Sequence, residues 1–97
     1  MYEYQLKVLN DWMTTYTWKE VLNRWADTCP IVYLADENDK GEELMQYLCN
    51  VFCDYVPTCE EVEDTLASKN YWDCLEILGI EDTEENYNAF DLVYFPR

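Results

Sequence analysis

The residue types that carry most enzyme chemistry are thinly represented in this chain. It has no histidine among its 97 residues, which removes imidazole acid–base work, the Ser-His-Asp triad and the Cys-His pair. Its one serine, Ser68, precedes a predicted helix and reads as an N-cap. Two glycines, Gly41 and Gly79, cannot build a loop that cradles phosphate. A pair of carboxylates can cleave a glycosidic bond. With 21 acidic residues, however, close pairs follow from composition alone and point to no reaction. The expectation is a protein that is not an enzyme, with no catalytic residues and no cofactor.

Metal chemistry fares little better. Asp36-x-Asn38-x-Lys40-Gly41 has the opening of a calcium loop, with acceptors at positions 1 and 3 and glycine at 6. Position 5 is a lysine and position 12, where a bidentate Glu belongs, is Tyr47. A solvated loop leading into a helix is the better account. The five cysteines, at 29, 49, 53, 59 and 74, match no zinc-finger spacing. Their odd number and the absence of a signal-peptide-like start argue against a secreted disulfide framework. Buried, reduced thiols and a cytoplasmic location are expected.

What remains is charge. The 21 acids face six bases for a net charge of −15, unevenly spread. Residues 1–35 carry −1, and residues 36–97 carry −14. Such a field repels nucleic acid and anionic membranes, and it draws cationic partners from a distance. The chain is also 49% hydrophobic with four Trp, nine Tyr and three Phe, so it is no disordered acidic tail.

The acids fall in groups. Asp36, Glu37, Asp39, Glu42 and Glu43 surround a predicted helix start, and Glu60, Glu61, Glu63 and Asp64 lie on a short helix. Asp73, Glu76, Glu81, Asp82, Glu84 and Glu85 follow. Helical residues three or four apart lie about 5–6 Å from each other, of the same order as the phosphate step of about 3.4 Å along one DNA strand. The Glu60–Asp64 group therefore reads as the start of a carboxylate row resembling a phosphate backbone, which the later acids extend. Tyr47, Tyr55, Tyr71, Trp72 and Tyr87 lie in or beside this half. Each taken singly reads as core, yet the nine Tyr and four Trp of the chain together exceed what so small a core needs, and Tyr and Trp anchor interfaces.

In size, charge and aromatic content the chain looks like the small acidic DNA mimics with which phages and mobile elements block bacterial defence, the anti-CRISPR and anti-restriction inhibitors. The resemblance is one of composition over the whole chain. It implies a basic nucleic-acid-binding protein as partner, such as an RNA-guided nuclease or a restriction enzyme, blocked at its DNA-binding channel. The alternative is an adaptor that binds a regulatory partner through exposed aromatics such as Trp72 and Tyr87.

The elements that must position these residues are read from periodicity. Tyr2 to Leu9 alternates as a strand, although a helical stripe also fits; Asn10-Asp11 reads as a turn and Thr14–Thr17 as extended. Thr17 and Glu20 form a capping box before a stripe of Trp18, Val21, Leu22, Trp25 and Ala26, which Pro30 stops. Ile31–Ala35 is a short apolar run of strand length. A helix is expected from Glu42 to Tyr55, ended by Pro57. A second capping box, Thr58 and Glu61, opens a third helix with Val62 and Leu66 inward. A fourth spans Asn70 to Leu78 with Gly79 at its end. Glu81–Glu85 reads as an acidic connector, and Ala89–Phe95 as a final strand. The expected fold is one small α+β domain, residues 1–97, with about three strands packed with three to four short helices.

Overall fold

Thr17 turns the chain from an extended hairpin into its first helix. The computed structural model describes residues 4–9 and 12–94; the turn expected at Asn10-Asp11, the start of the strand expected from Tyr2 and the end of the strand expected to Phe95 lie outside them. Strand β1 (Leu6–Leu9) pairs antiparallel with β2 (Met13–Tyr16), placing Leu6 opposite Tyr16 and Val8 opposite Thr14. The expected alternation holds: Leu6 and Val8 are buried, Lys7 and Leu9 exposed. The Leu9 N–H donates to the Pro57 carbonyl at 2.7 Å, tying the hairpin to the middle of the chain.

Six helices follow. Helix α1 (Trp18–Trp25) opens on the expected capping box, with Glu20 accepting from the Thr17 N–H at 2.7 Å and also from its hydroxyl. It ends at Trp25, before Pro30. Pro30 instead occupies the first turn of α2 (Pro30–Glu37), where its missing N–H costs nothing. The expected strand at Ile31–Ala35 is thus a helix. The misreading has a physical source. Pro30, Ile31, Val32, Leu34 and Ala35 are all buried because α2 packs against α1, α3, α4, α5 and α6. A helix covered on most sides loses its amphipathic period and reads as a featureless apolar run.

Helix α3 (Gly41–Val51) starts one residue earlier than expected and stops well before Tyr55. Leu44, Met45 and Leu48 are buried, but Phe52 is already the C-cap, so Tyr55 leaves the stripe and is exposed. A Cβ at Gly41 would sit 2.5–2.7 Å from the Trp18 ring, so only glycine lets α3 approach α1 here. Helix α4 (Cys59–Ala67) carries the predicted capping box, Thr58 with Glu61, and buries Val62 and Leu66.

Ser68 is not an N-cap: it ends α4, its hydroxyl donating to the Thr65 carbonyl at 2.9 Å. Asn70 caps α5 (Tyr71–Leu78), accepting from the Asp73 N–H at 2.8 Å. Gly79 terminates α5 with φ 67°, the left-handed residue expected there.

The expected last strand is also a helix, α6 (Glu84–Tyr94). Thr83 Oγ1 accepts from the Asn86 N–H at 3.1 Å, and Glu84 and Glu85 favour the positive end of the helix dipole. The expected connector therefore holds the start signal of a helix. The described residues form one compact unit of mixed helix and strand, with six helices and two strands where three to four helices and about three strands were expected.

Candidate functional site

The fifteen carboxylates expected to face a partner come from the α2–α3 corner, from α4 and from α5–α6. Twelve are exposed; Glu42, Glu43 and Asp73 are half-buried. Helix α4 gives the densest group. Val62 and Leu66 fix one face on the core, and Glu60, Glu61, Glu63 and Asp64 are all exposed.

Two of these four are held in place. Glu61 accepts from the Thr58 N–H at 3.1 Å, the Thr58 hydroxyl at 3.3 Å and the Tyr55 hydroxyl at 3.0 Å. The Thr58 backbone bond, then the Tyr55 bond, hold its carboxyl below the usual carboxylate range. Glu63 accepts from the Trp25 indole N–H at 3.2 Å. Glu60 and Asp64 lie one turn apart. Arg24 lies beside this group, its guanidinium 5.5 Å from the centre of the Trp25 ring. Arg24, Trp25, Cys59, Glu60 and Glu63 line an open cleft of about 260 Å³.

In α5–α6, Asp73 accepts from the Asn70 N–H at 3.3 Å and Asp82 from the Tyr71 hydroxyl at 2.8 Å. Burial, and then the bond to Asp82, push the Tyr71 phenol up to about 12. Glu76, Glu81, Glu84 and Glu85 are exposed. Helices α4 and α6 each pack on α2, so the two acidic groups are positioned through that central helix.

At the α2–α3 corner, Asp36, Glu37 and Asp39 are exposed, and Asp39 takes a left-handed backbone at φ 56°. Glu37 raises the pKa of the neighbouring Tyr33 phenol. Glu43 turns Oε2 inward, where no hydrogen-bond donor among the described residues reaches it. Asn38 is held at the end of α2. Its amide donates to the Leu34 carbonyl and to Asn86 Oδ1, both at 2.9 Å. The loop that resembles a calcium site is the C-terminal end of α2, latched to α6. Among the described residues no three Cys, Asp or Glu converge as a metal-binding group.

The cysteines divide. Cys29 and Cys74 are buried, as expected, whereas Cys49 and Cys59 are half-buried and Cys53 is exposed. Cys49 and Cys53 line an open groove of about 430 Å³ with Leu6, Phe52 and Tyr55.

The aromatics also divide. Tyr71 is core, but Tyr55, Trp72 and Tyr87 are exposed, against the reading of each as core. Trp12, beside β2, and Met13, its first residue, are both exposed; the sequence reading gives Trp12 no role and places Met13 on the alternative helical stripe. It passed over Asn86 as well, whose signal was the Thr83-x-x-Asn86 start of α6. No family model, curated protein or solved structure matches the chain. No helix among the described residues is long and apolar enough to cross a membrane.

Proposed function

We propose that this protein is a non-enzymatic inhibitor that presents its acidic surface to the basic nucleic-acid-binding site of a bacterial defence nuclease and competes there with DNA or RNA. The observation that carries the reading is the exposed α4 row. Four carboxylates lie within five residues, and Glu61 and Glu63 are fixed by hydrogen bonds. Fixed anions need no reordering on binding, which is the advantage a phosphate mimic requires. A basic groove would meet them as it meets a backbone. The cytoplasm of an infected cell is the compartment where such a partner is found.

The test reverses charge. Because Glu61 and Glu63 also support the fold, Glu60→Lys with Asp64→Lys is the informative pair, and the fourfold reversal is its extension. Circular dichroism should show the fold retained while competition with DNA is lost. Unchanged competition by the folded double variant would remove α4 from the mimic.

A second reading, an adaptor anchored by aromatics, draws on the exposure of Trp72 and Tyr87. In that case Trp72→Ala and Tyr87→Ala weaken binding more than loss of the α4 acids, and added salt changes affinity little.

A further inference from the structure

Trp72 and Tyr87 are 65% and 55% exposed, unusually open for large aromatics that pack against a buried one. Both rings contact Tyr71 edge-on, with centroids 5.6 and 5.3 Å away, so a ring of α5 and a ring of α6 share Tyr71 as their common support. Phe90 meets the same Tyr71 at 5.7 Å and closes the floor of the cluster.

Carboxylates flank this surface at helical spacing. Glu76 is one turn beyond Trp72, and Glu84 and Asp91 lie one turn to either side of Tyr87, each about 5–6 Å away between Cβ atoms. Residues 70–94 contain seven acids and no Lys or Arg; Lys40 reaches the Glu81 and Glu85 end of this group, and the Trp72–Tyr87 end offers charge complementary to a cationic partner. Elsewhere the protein already lays cations on its rings: Arg24 on Trp25 at 5.5 Å and Lys69 on Tyr47 at 5.3 Å.

We propose that the Trp72–Tyr87 surface is a docking site for arginine side chains of a basic protein partner. A guanidinium stacks flat on an indole or phenol ring while its edge donates to a neighbouring carboxylate, a combination for which the planar fork is better shaped and more weakly hydrated than a lysine ammonium. The acids exclude nucleic acid and an anionic lipid surface, whose phosphates they repel. A second copy meeting the surface symmetrically would bring seven more carboxylates against these. The assignment rests on the proposed function in that both require a basic partner. It adds which part of the acidic half recognises arginine and how.

The probes are nona-arginine and nona-lysine, titrated into the intact protein at fixed ionic strength. The readouts are affinity by calorimetry and the Trp72 indole N–H resonance. Nona-arginine should bind at least fivefold tighter and shift the Trp72 resonance. Trp72→Leu, which keeps apolar bulk without the π face, and Trp72→Ala should both abolish the arginine preference and leave nona-lysine affinity within twofold. Equal affinity for the two peptides, a silent Trp72 resonance, or a preference retained in the folded Trp72→Leu variant would each overturn the assignment. If α4 charge reversal abolishes competition with DNA while Trp72 stays silent, the arginine site falls and the proposed function stands. Arginine preference through Trp72 in a protein that does not compete with DNA supports the site and counts against mimicry.

Discussion

Asn86 is nearly buried, and both ends of its amide are engaged: Oδ1 accepts from Asn38 at 2.9 Å and Nδ2 donates to the Glu81 carbonyl at 2.8 Å. It joins the end of α2 to the start of α6. Asn86→Ala would leave the Asn38 amide and the Glu81 carbonyl without these partners, so a loss of about 1–3 kcal/mol is expected in urea unfolding. Cys74 shows a different dependence. Burial pushes its thiol from an ordinary 9.0 up to about 12, and Tyr71 rises from 10.0 to about 12, chiefly also by burial. Between those values the folded chain keeps protons that the unfolded chain has lost. This contribution is therefore intact below about pH 9 and is lost as pH rises towards 12. Urea midpoints measured across that window should fall, and Cys74→Ala should make the fall shallower, the Cys29 and Cys49 thiols, which burial also raises, carrying part of what remains. An unchanged slope would show that Cys74 does not contribute.

At the scale of elements, α4 holds charge and stability in opposition. Glu60 and Asp64 are like charges one turn apart, and such a pair destabilises a helix by about 0.2–0.5 kcal/mol. Glu60→Gln with Asp64→Gln should raise the unfolding midpoint slightly while weakening competition with DNA. A midpoint that falls would mean that these acids have a structural role. The capping boxes that start α1 and α4, and the glycine that ends α5, were legible in sequence because they are local: a hydroxyl, a carboxylate three residues on, a left-handed backbone. Helices α2 and α6 were not. The burial of α2 on most sides erased its period, and α6 hides an aromatic face, Tyr87, Phe90 and Tyr94, inside a segment rich in strand-preferring residues. The acidic groups were legible as charge. Their anchoring by Tyr55, Trp25 and Tyr71 was not, because those partners are six to 38 residues away in sequence.

For the whole molecule, a net charge of −15 on 97 residues opposes folding through self-repulsion. Salt screens that repulsion and the attraction to a basic partner alike. Raising ionic strength should increase the melting temperature and weaken partner binding, two opposite responses to one variable. An adaptor held by aromatics would show the first response without the second. Stacking of a guanidinium on the Trp72 and Tyr87 rings is a short-range contact, so the arginine preference should persist at salt concentrations that erase the peptides' general electrostatic binding.

The most direct test is displacement of labelled duplex DNA from a basic defence nuclease by the intact protein and by its Glu60→Lys/Asp64→Lys variant, at low and at physiological salt. The native protein should displace the DNA, less effectively as salt rises, and the folded variant should fail at both. Equal displacement by the variant, or displacement indifferent to salt, would contradict competition through the acidic surface.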